Sequence, residues 1–191
     1  MTGAFLHPFA RPARDSFIEL VRGEGSVLWD RDGNEYIDAM ASLWYCNVGH
    51  GRGEIADAVA SQMRELETYS CFDPFTNPMA EAITQRVADL SPIDHARVFL
   101  CGSGSESIDT AMKLARLTHV QSGHPERTLI ISRVRGYHGT NYGGTTAQGL
   151  PPNKEGWGPL VPEVVQVPSD DIEALASLMS ERSHEVAAVL S

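Results

Sequence analysis

At 191 residues and 42% hydrophobic content the chain can bury a real core, and it fits one domain or parts of two. A formal net charge of −10 argues against nucleic acid or an anionic membrane as the main partner, and no apolar run approaches the roughly 18–20 residues that span a bilayer. The three cysteines are odd in number and widely spaced, so a disulfide framework is not expected; nor is a signal peptide, since Met1–Pro8 lacks a basic stretch before an apolar core. The default setting is therefore the reduced cytoplasm. Neither His-x-x-x-His nor Cys-x-x-Cys occurs, so no metal is expected, and there is no internal repeat.

In chain order, residues 1–24 read as an extended arm carrying Pro8 and Pro12, with a short helix near Ser16–Arg22. Ser26–Asp30 and Glu35–Asp38 flank an Asp-Gly turn and predict a hairpin with a bulge. Met40–Gly51 has no periodicity and reads as a loop carrying Trp44 and Tyr45. Glu54–Leu66 then predicts an amphipathic helix, with Ile55, Ala58, Val59, Gln62 and Leu66 on one stripe. After the loop Thr68–Thr76, Asn77 reads as an N-cap and Pro78 as the first residue of a helix along Met79, Ile83, Val87 and Leu90.

From residue 97 strands and helices alternate. The expected order is a strand Arg97–Cys101, a helix Ser107–Thr118, a strand Thr128–Ser132 and a glycine-rich loop Arg135–Gly149. A strand Val164–Val167 follows, then a helix capped by Ser169 and a buried strand from Glu185 to Ser191. Such alternation implies a largely parallel sheet covered by helices, with ligands at the carboxyl ends of its strands.

The turn Gly102-Ser103-Gly104-Ser105 joins the first of these strands to a helix whose apolar face is Ile108, Ala111, Met112 and Ala115. Unpaired N–H groups at the positive end of a helix suit a phosphate, and the serines add hydroxyl donors. Ser103 and Glu106 also have capping-box spacing, which by itself needs only a helix start. The turn is neither a P-loop nor the dinucleotide-binding G-x-G-x-x-G. One strand later, Tyr137 has a ring suited to stacking, and His138 suits ring contact or loop orientation.

Gly102–Arg116, with Tyr137-His138-Gly139, the hairpin Trp29–Asp38 and the loop Asn47-Val48-Gly49-His50, resembles the class III pyridoxal-phosphate aminotransferases. These are omega-aminotransferase-like enzymes of PLP fold type I, and the likeness runs in order from about Gly23 to the last residue. The resemblance implies an α/β chain holding the N-terminal small-domain segment (1–70) and the first part of the large PLP-binding domain (71–191). Gly104 and Ser105 match the pair that binds the phosphate of pyridoxal 5'-phosphate, with Ser103 beside them. Tyr137 matches the ring-stacking aromatic, with His138 next to it. Trp44 and Phe75 stand where substrate-pocket aromatics are found. Glu106 is assigned no chemistry.

The implied activity moves an amino group from an amine or omega-amino acid to a 2-oxo acid such as pyruvate, in a homodimer. Aminomutases and decarboxylases on the same scaffold are alternatives, as is a non-catalytic remnant. The family needs a lysine for the Schiff base and a carboxylate for the pyridine nitrogen. Of the two lysines present, Lys113 lies well inside a helix and Lys154 sits in Pro151–Gly156, unlike the family's lysine motif. The catalytic lysine is thus expected to be absent, and the chain to be an inactive fragment or truncated product.

Overall fold

The computed structural model describes residues 4–11 and 13–191. The first three residues of the expected arm, and its Pro12, lie outside them. The chain divides into two compact units, Met1–Asn77 and Pro78–Ser191.

The first unit is built on a three-stranded antiparallel sheet in the order β1 (Leu20–Glu24), β2 (Val27–Asp30), β3 (Glu35–Ile37). The hairpin expected between β2 and β3 forms, pairing Val27 with Ile37 and Trp29 with Glu35. Asp30 closes it: its carboxylate accepts the N–H groups of Asp32 and Asn34, the Asn34 amide and the Tyr36 hydroxyl. The irregularity lies not at this turn but between Leu20 and Arg22, where β1 meets β2.

The helix expected near Ser16–Arg22 is not formed. Its second half is β1, because pairing with β2 uses the backbone groups of a sequence whose local helical preference is weak. The Met40–Gly51 loop contains one short turn, α1 (Ala41–Trp44), whose four residues all have positive φ. The Asp38 carboxylate holds this turn by accepting the Met40 and Ser42 N–H groups. Helix α2 (Gly53–Glu65) follows as expected, but its stripe of Ile55, Val59 and Leu66 stays exposed.

The second unit opens with α3 (Pro78–Leu90), then α4 (Gly104–Gln121). Between them the expected strand Arg97–Cys101 forms no regular element and pairs with no strand among the described residues, and Phe99 is 74% exposed. Apolar content alone does not make a strand; a neighbouring edge must accept its backbone groups.

The sheet of this unit is parallel, in the order β5 (Val164–Val167), β4 (Leu129–Arg133), β6 (Val186–Val189). Because β4 is central, its side chains alternate between two packed faces. Leu129 and Ile131 join Val167 and Val186 against Leu175, Leu178 and Met179 of α6 (Ile172–Arg182). Ile130 faces the other way, with Met112 and Ile108 of α4 and Ala147 of α5 (Tyr142–Ala147). Ala111, expected on the apolar face of α4, is exposed. Arg116 ties α4 to the starts of two strands by donating to the carbonyls of Thr128 and Pro162.

Two further expectations are corrected. The glycine-rich loop Arg135–Gly149 contains α5, whose Gly143 and Gly144 allow its backbone to press on Asp109 and His138. The cap of α6 is Asp171, not Ser169, with the Asp171 carboxylate accepting the Ala174 N–H at 3.0 Å.

Ile130 is fully buried at the centre of this sheet. Ile130→Ala is expected to lower the stability of the chain by about 2–5 kcal/mol, measured by denaturant unfolding; a loss below about 1 kcal/mol would contradict the two-faced packing.

Candidate functional site

The second unit gathers its chemistry where two loops meet. Ser103 caps α4 in an extended conformation, and its Oγ accepts the Glu106 N–H at 3.2 Å. The Glu106 carboxylate reaches back to the Gly102 N–H at 2.7 Å, one residue before the cap, so both readings of the spacing describe the same turn. The N–H groups of Gly104 and Ser105, at the first two helical positions, have no partner within the helix. Around Gly104 the space is open: an added Cβ would meet nothing within 4 Å.

The second loop is held against this turn. Ser105 Oγ accepts the Thr140 N–H at 2.9 Å and lies 3.4 Å from the Thr140 hydroxyl. Gly139 has φ +101°, and a Cβ there would lie 2.6 Å from Ser105 Oγ. Behind them Asp109 Oδ1 accepts the Gly144 N–H at 2.9 Å, locking the start of α5 to α4. Sequence reasoning named Gly139 and Asp109 within motifs without giving either a role, and it missed Thr140. The available signals were a glycine and a hydroxyl directly after Tyr137-His138, and a carboxylate beside Ile108 on the packed side of α4.

The predicted residues fall as follows. Ser103, Gly104 and Ser105 form the turn, and the Tyr137–Thr140 loop meets it at Ser105. Tyr137 is exposed. His138 is half-buried, and its Nε2 is sealed beside Gly136 with no hydrogen-bond partner. Burial holds the His138 imidazole below its usual pKa, with the Arg133 charge adding to the effect. Trp44 and Phe75 belong to the first unit; Trp44 is 81% exposed on its turn, and Phe75 stands edge-on to Tyr69 at 5.2 Å. Neither lysine lies in the turn. Lys154 donates to the Thr146 carbonyl at 2.9 Å and to Gln166 Oε1 at 3.1 Å, and burial lowers its pKa. Lys113 lies further along α4, beside a cleft of about 380 Å³ that Glu106 and Asp109 also line.

Chemically, the turn offers backbone and hydroxyl donors at the positive end of an 18-residue helix, a donor set of the kind that suits an anion. Among the described residues no group of three or more His, Cys, Asp and Glu side chains could hold a metal ion, and no helix is long and apolar enough to cross a membrane.

Two outcomes follow from this geometry. Gly139→Ala is expected to destabilise the chain by about 1–3 kcal/mol, whereas Gly104→Ala stays within about 0.5 kcal/mol, both read from thermal unfolding. Equal effects would contradict the loop contact. A histidine with a lowered folded pKa binds its proton more readily when unfolded, so His138 costs stability as pH falls below about 6.5. His138→Gln is expected to flatten that part of the stability–pH curve; an unchanged slope would place the titration elsewhere.

Comparison with known proteins bears on this geometry directly. The family model described as aminotransferase class-III matches residues 9–191. A beta-alanine–pyruvate aminotransferase of Pseudomonas aeruginosa is 39% identical over 142 residues, 74% of this chain and 32% of that protein. An omega-aminotransferase of Caulobacter vibrioides is 35% identical over 167 residues, 86% of this chain and 38% of that protein. Among solved structures, a PLP-bound amine transaminase from an uncultivated Pseudomonas species aligns with a TM-score of 0.91 at 28% identity, over 99% of this chain and 48% of the other. A transaminase from the marine bacterium Virgibacillus aligns with a TM-score of 0.92 at 31% identity, over 97% and 45%. The chain thus spans about a third of those curated relatives and just under half of those structures. With the family's model matched almost from end to end and the fold of the PLP-dependent transaminases reproduced over that span, this chain belongs to the class III aminotransferases.

Proposed function

We propose that this chain supplies the phosphate-binding end of an aminotransferase that uses pyridoxal 5'-phosphate to move an amino group from an amine or omega-amino acid to a 2-oxo acid such as pyruvate. The observation that carries this reading is the start of α4, where the Gly104 and Ser105 N–H groups lack helical partners, the space at Gly104 is open and the Ser103 hydroxyl caps the turn. Donors of that kind, at a helix N-terminus, fit a phosphate dianion. The names of the relatives, which pair beta-alanine or putrescine with pyruvate, support the substrate class.

The residues divide the work. Gly104 and Ser105 hold the phosphate through their N–H groups, and Gly104 lets the anion approach the backbone closely. Ser105 also carries the second loop on its Oγ, so a phosphate bound here registers Tyr137 relative to α4. The exposed Tyr137 ring covers the cofactor's pyridine face. His138 is a positioning residue, wedged beneath the loop rather than touching ligand. Trp44 and Phe75, exposed aromatics in the first unit, line the donor pocket. When bound, the cofactor acts as an electron sink for the substrate carbon that bears the amine.

Neither lysine here is the one that carries the cofactor. Lys154 closes the C-terminal end of α5 by donating to Thr146 O, and Gln166 and Ser132 share that duty by donating to the Thr146 and Ala147 carbonyls. Withdrawing its ammonium would leave buried carbonyl groups short of donors. Lys113 is nine residues along α4 from Gly104, about 13 Å down the helix axis, and lines the cleft beside Glu106 and Asp109 rather than the turn itself. We further place the protein in the cytoplasm as a homodimer, consistent with three free cysteines.

Pyridoxal 5'-phosphate is expected to raise the melting temperature of the chain, and pyridoxal without the phosphate is not; Ser105→Ala abolishes most of the difference. Borohydride should trap no stoichiometric adduct on Lys113 or Lys154. Equal shifts from both compounds would remove the phosphate assignment, and a stoichiometric lysine adduct would overturn the lysine reading. In the full-length enzyme carrying this chain, alanine should form from pyruvate with beta-alanine or putrescine as donor; no alanine from any amine donor would end the transaminase reading.

A further inference from the structure

The first unit places a thiol, an imidazole and a carboxylate in line. Cys46 Sγ lies 3.4 Å from His50 Nδ1, and His50 Nε2 lies 2.7 Å from Asp38 Oδ2. The Asp38 side chain is only 7% exposed and that of His50 19%, so water competes little for the pair. Three elements fix the alignment. Asp38 follows β3 and is pinned by the Met40 and Ser42 N–H groups. His50 is paired through its backbone to Gly25 in both directions, at 3.0 and 2.8 Å. Its ring rests on Gly23, where a Cβ would lie 2.7 Å from the imidazole. Cys46 is placed by its own N–H, which donates to the Ala41 carbonyl at 2.9 Å.

The protonation pattern follows from this order. Its bond to His50 and the Ser42 N–H keep the Asp38 carboxyl below the usual carboxylate range, so it is ionised at neutral pH and only accepts. An accepting carboxylate sets the imidazole proton on Nε2 and turns the Nδ1 lone pair to the Cys46 thiol. A nucleophile within reach of a base that a third group orients is the general arrangement of an activated thiol.

We propose that Cys46, with His50 as its base and Asp38 as the orienting carboxylate, is a modification site for soft carbon electrophiles of the α,β-unsaturated carbonyl class. In the step, the thiol proton passes from Sγ to His50 Nδ1 as Sγ bonds to the β-carbon. The π electrons shift to the α-carbon, which takes a proton back from the imidazole, so nothing leaves and no oxidant is needed. The three side chains do not form a metal set, since His50 stands between the other two. The proposal uses no residue assigned above to cofactor or substrate, and it stands or falls separately from the transaminase reading.

Accessibility favours a different cysteine, which makes the test sharp. Cys71 is exposed, while Cys46 and Cys101 are partly covered. The folded 191-residue chain is treated with less than one equivalent of N-ethylmaleimide, and adducts are located by peptide mass mapping over time. Cys46 is expected to react about tenfold faster than Cys71, because a base in place to take the thiol proton outweighs exposure. His50→Gln and, independently, Asp38→Asn are expected to bring the Cys46 rate down to that of Cys71 or below, with circular dichroism confirming the fold. If His50→Gln unfolds the loop, the wild-type rate order and Asp38→Asn still decide. Cys71 labelled first in the wild-type chain, or a Cys46 rate unmoved by Asp38→Asn, would overturn the proposal.

Discussion

One hydrogen bond organises the second unit: Thr140 N–H to Ser105 Oγ, joining segments 35 residues apart. A bond of this kind contributes only about 0.5–1.5 kcal/mol by itself, far too little to shape a fold. Its importance lies in what it requires. Gly139 must be at positive φ and must lack a Cβ for the loop to come close enough, and Asp109 must hold Gly144 from the other side. Those conditions are met only because β4 is central in a parallel sheet, with α4 packed on one of its faces through Met112 and Ile108. The sheet fixes α4, and α4 presents Ser105. The second loop then has one well-fitted way to close.

A parallel sheet also explains why the two loops lie at one end. β4 ends at Arg133 and the Tyr137–Thr140 loop leaves from there, while α4 starts next to it. The donors at the start of α4 are thus backbone groups held by the core rather than flexible side chains. Such donors need no reorganisation when an anion arrives, which is the electrostatic advantage of a helix N-terminus over a surface lysine. The phosphate role proposed for this turn therefore needs no lysine in it.

How much of this was legible in the sequence depended on whether the deciding interaction was local. Val164–Val167 is a strand to the residue, because a short β-branched run bounded by prolines has few alternatives. The capping geometry of Ser103 and Glu106 was legible for the same reason: both partners lie within four residues. The failures share a different cause. Leu20–Glu24 became a strand because β2 was available to pair with it, and Arg97–Cys101 is no strand because no described edge takes its backbone groups. Ser169 lost the cap of α6 to Asp171 since Asp171 lies three residues before the N–H it accepts. Thr140 with Ser105, and Gly144 with Asp109, pair across 35 residues, and residue types alone do not say which distant groups meet.

The apolar stripes of α2 and α3 are the remaining physical oddity, and they carry a constraint. Ile55 and Val59 on α2, and Ile83 and Leu90 on α3, keep between 44% and 71% of their surface in contact with solvent. At roughly 25 cal/mol per Å2, stripes of this kind contribute to stability only when something covers them. The central sheet of the second unit does not share the deficit: Leu129, Ile130 and Ile131 are fully buried on both of its faces. The structural support of the turn at the start of α4 therefore lies in contacts that α4, β4 and α5 already make within the chain. The stripes of the amphipathic helices, by contrast, are only partly covered here. Presenting donors at the start of α4 and covering the apolar stripes are separable tasks in this molecule, and the backbone groups that serve the first are already held by the core.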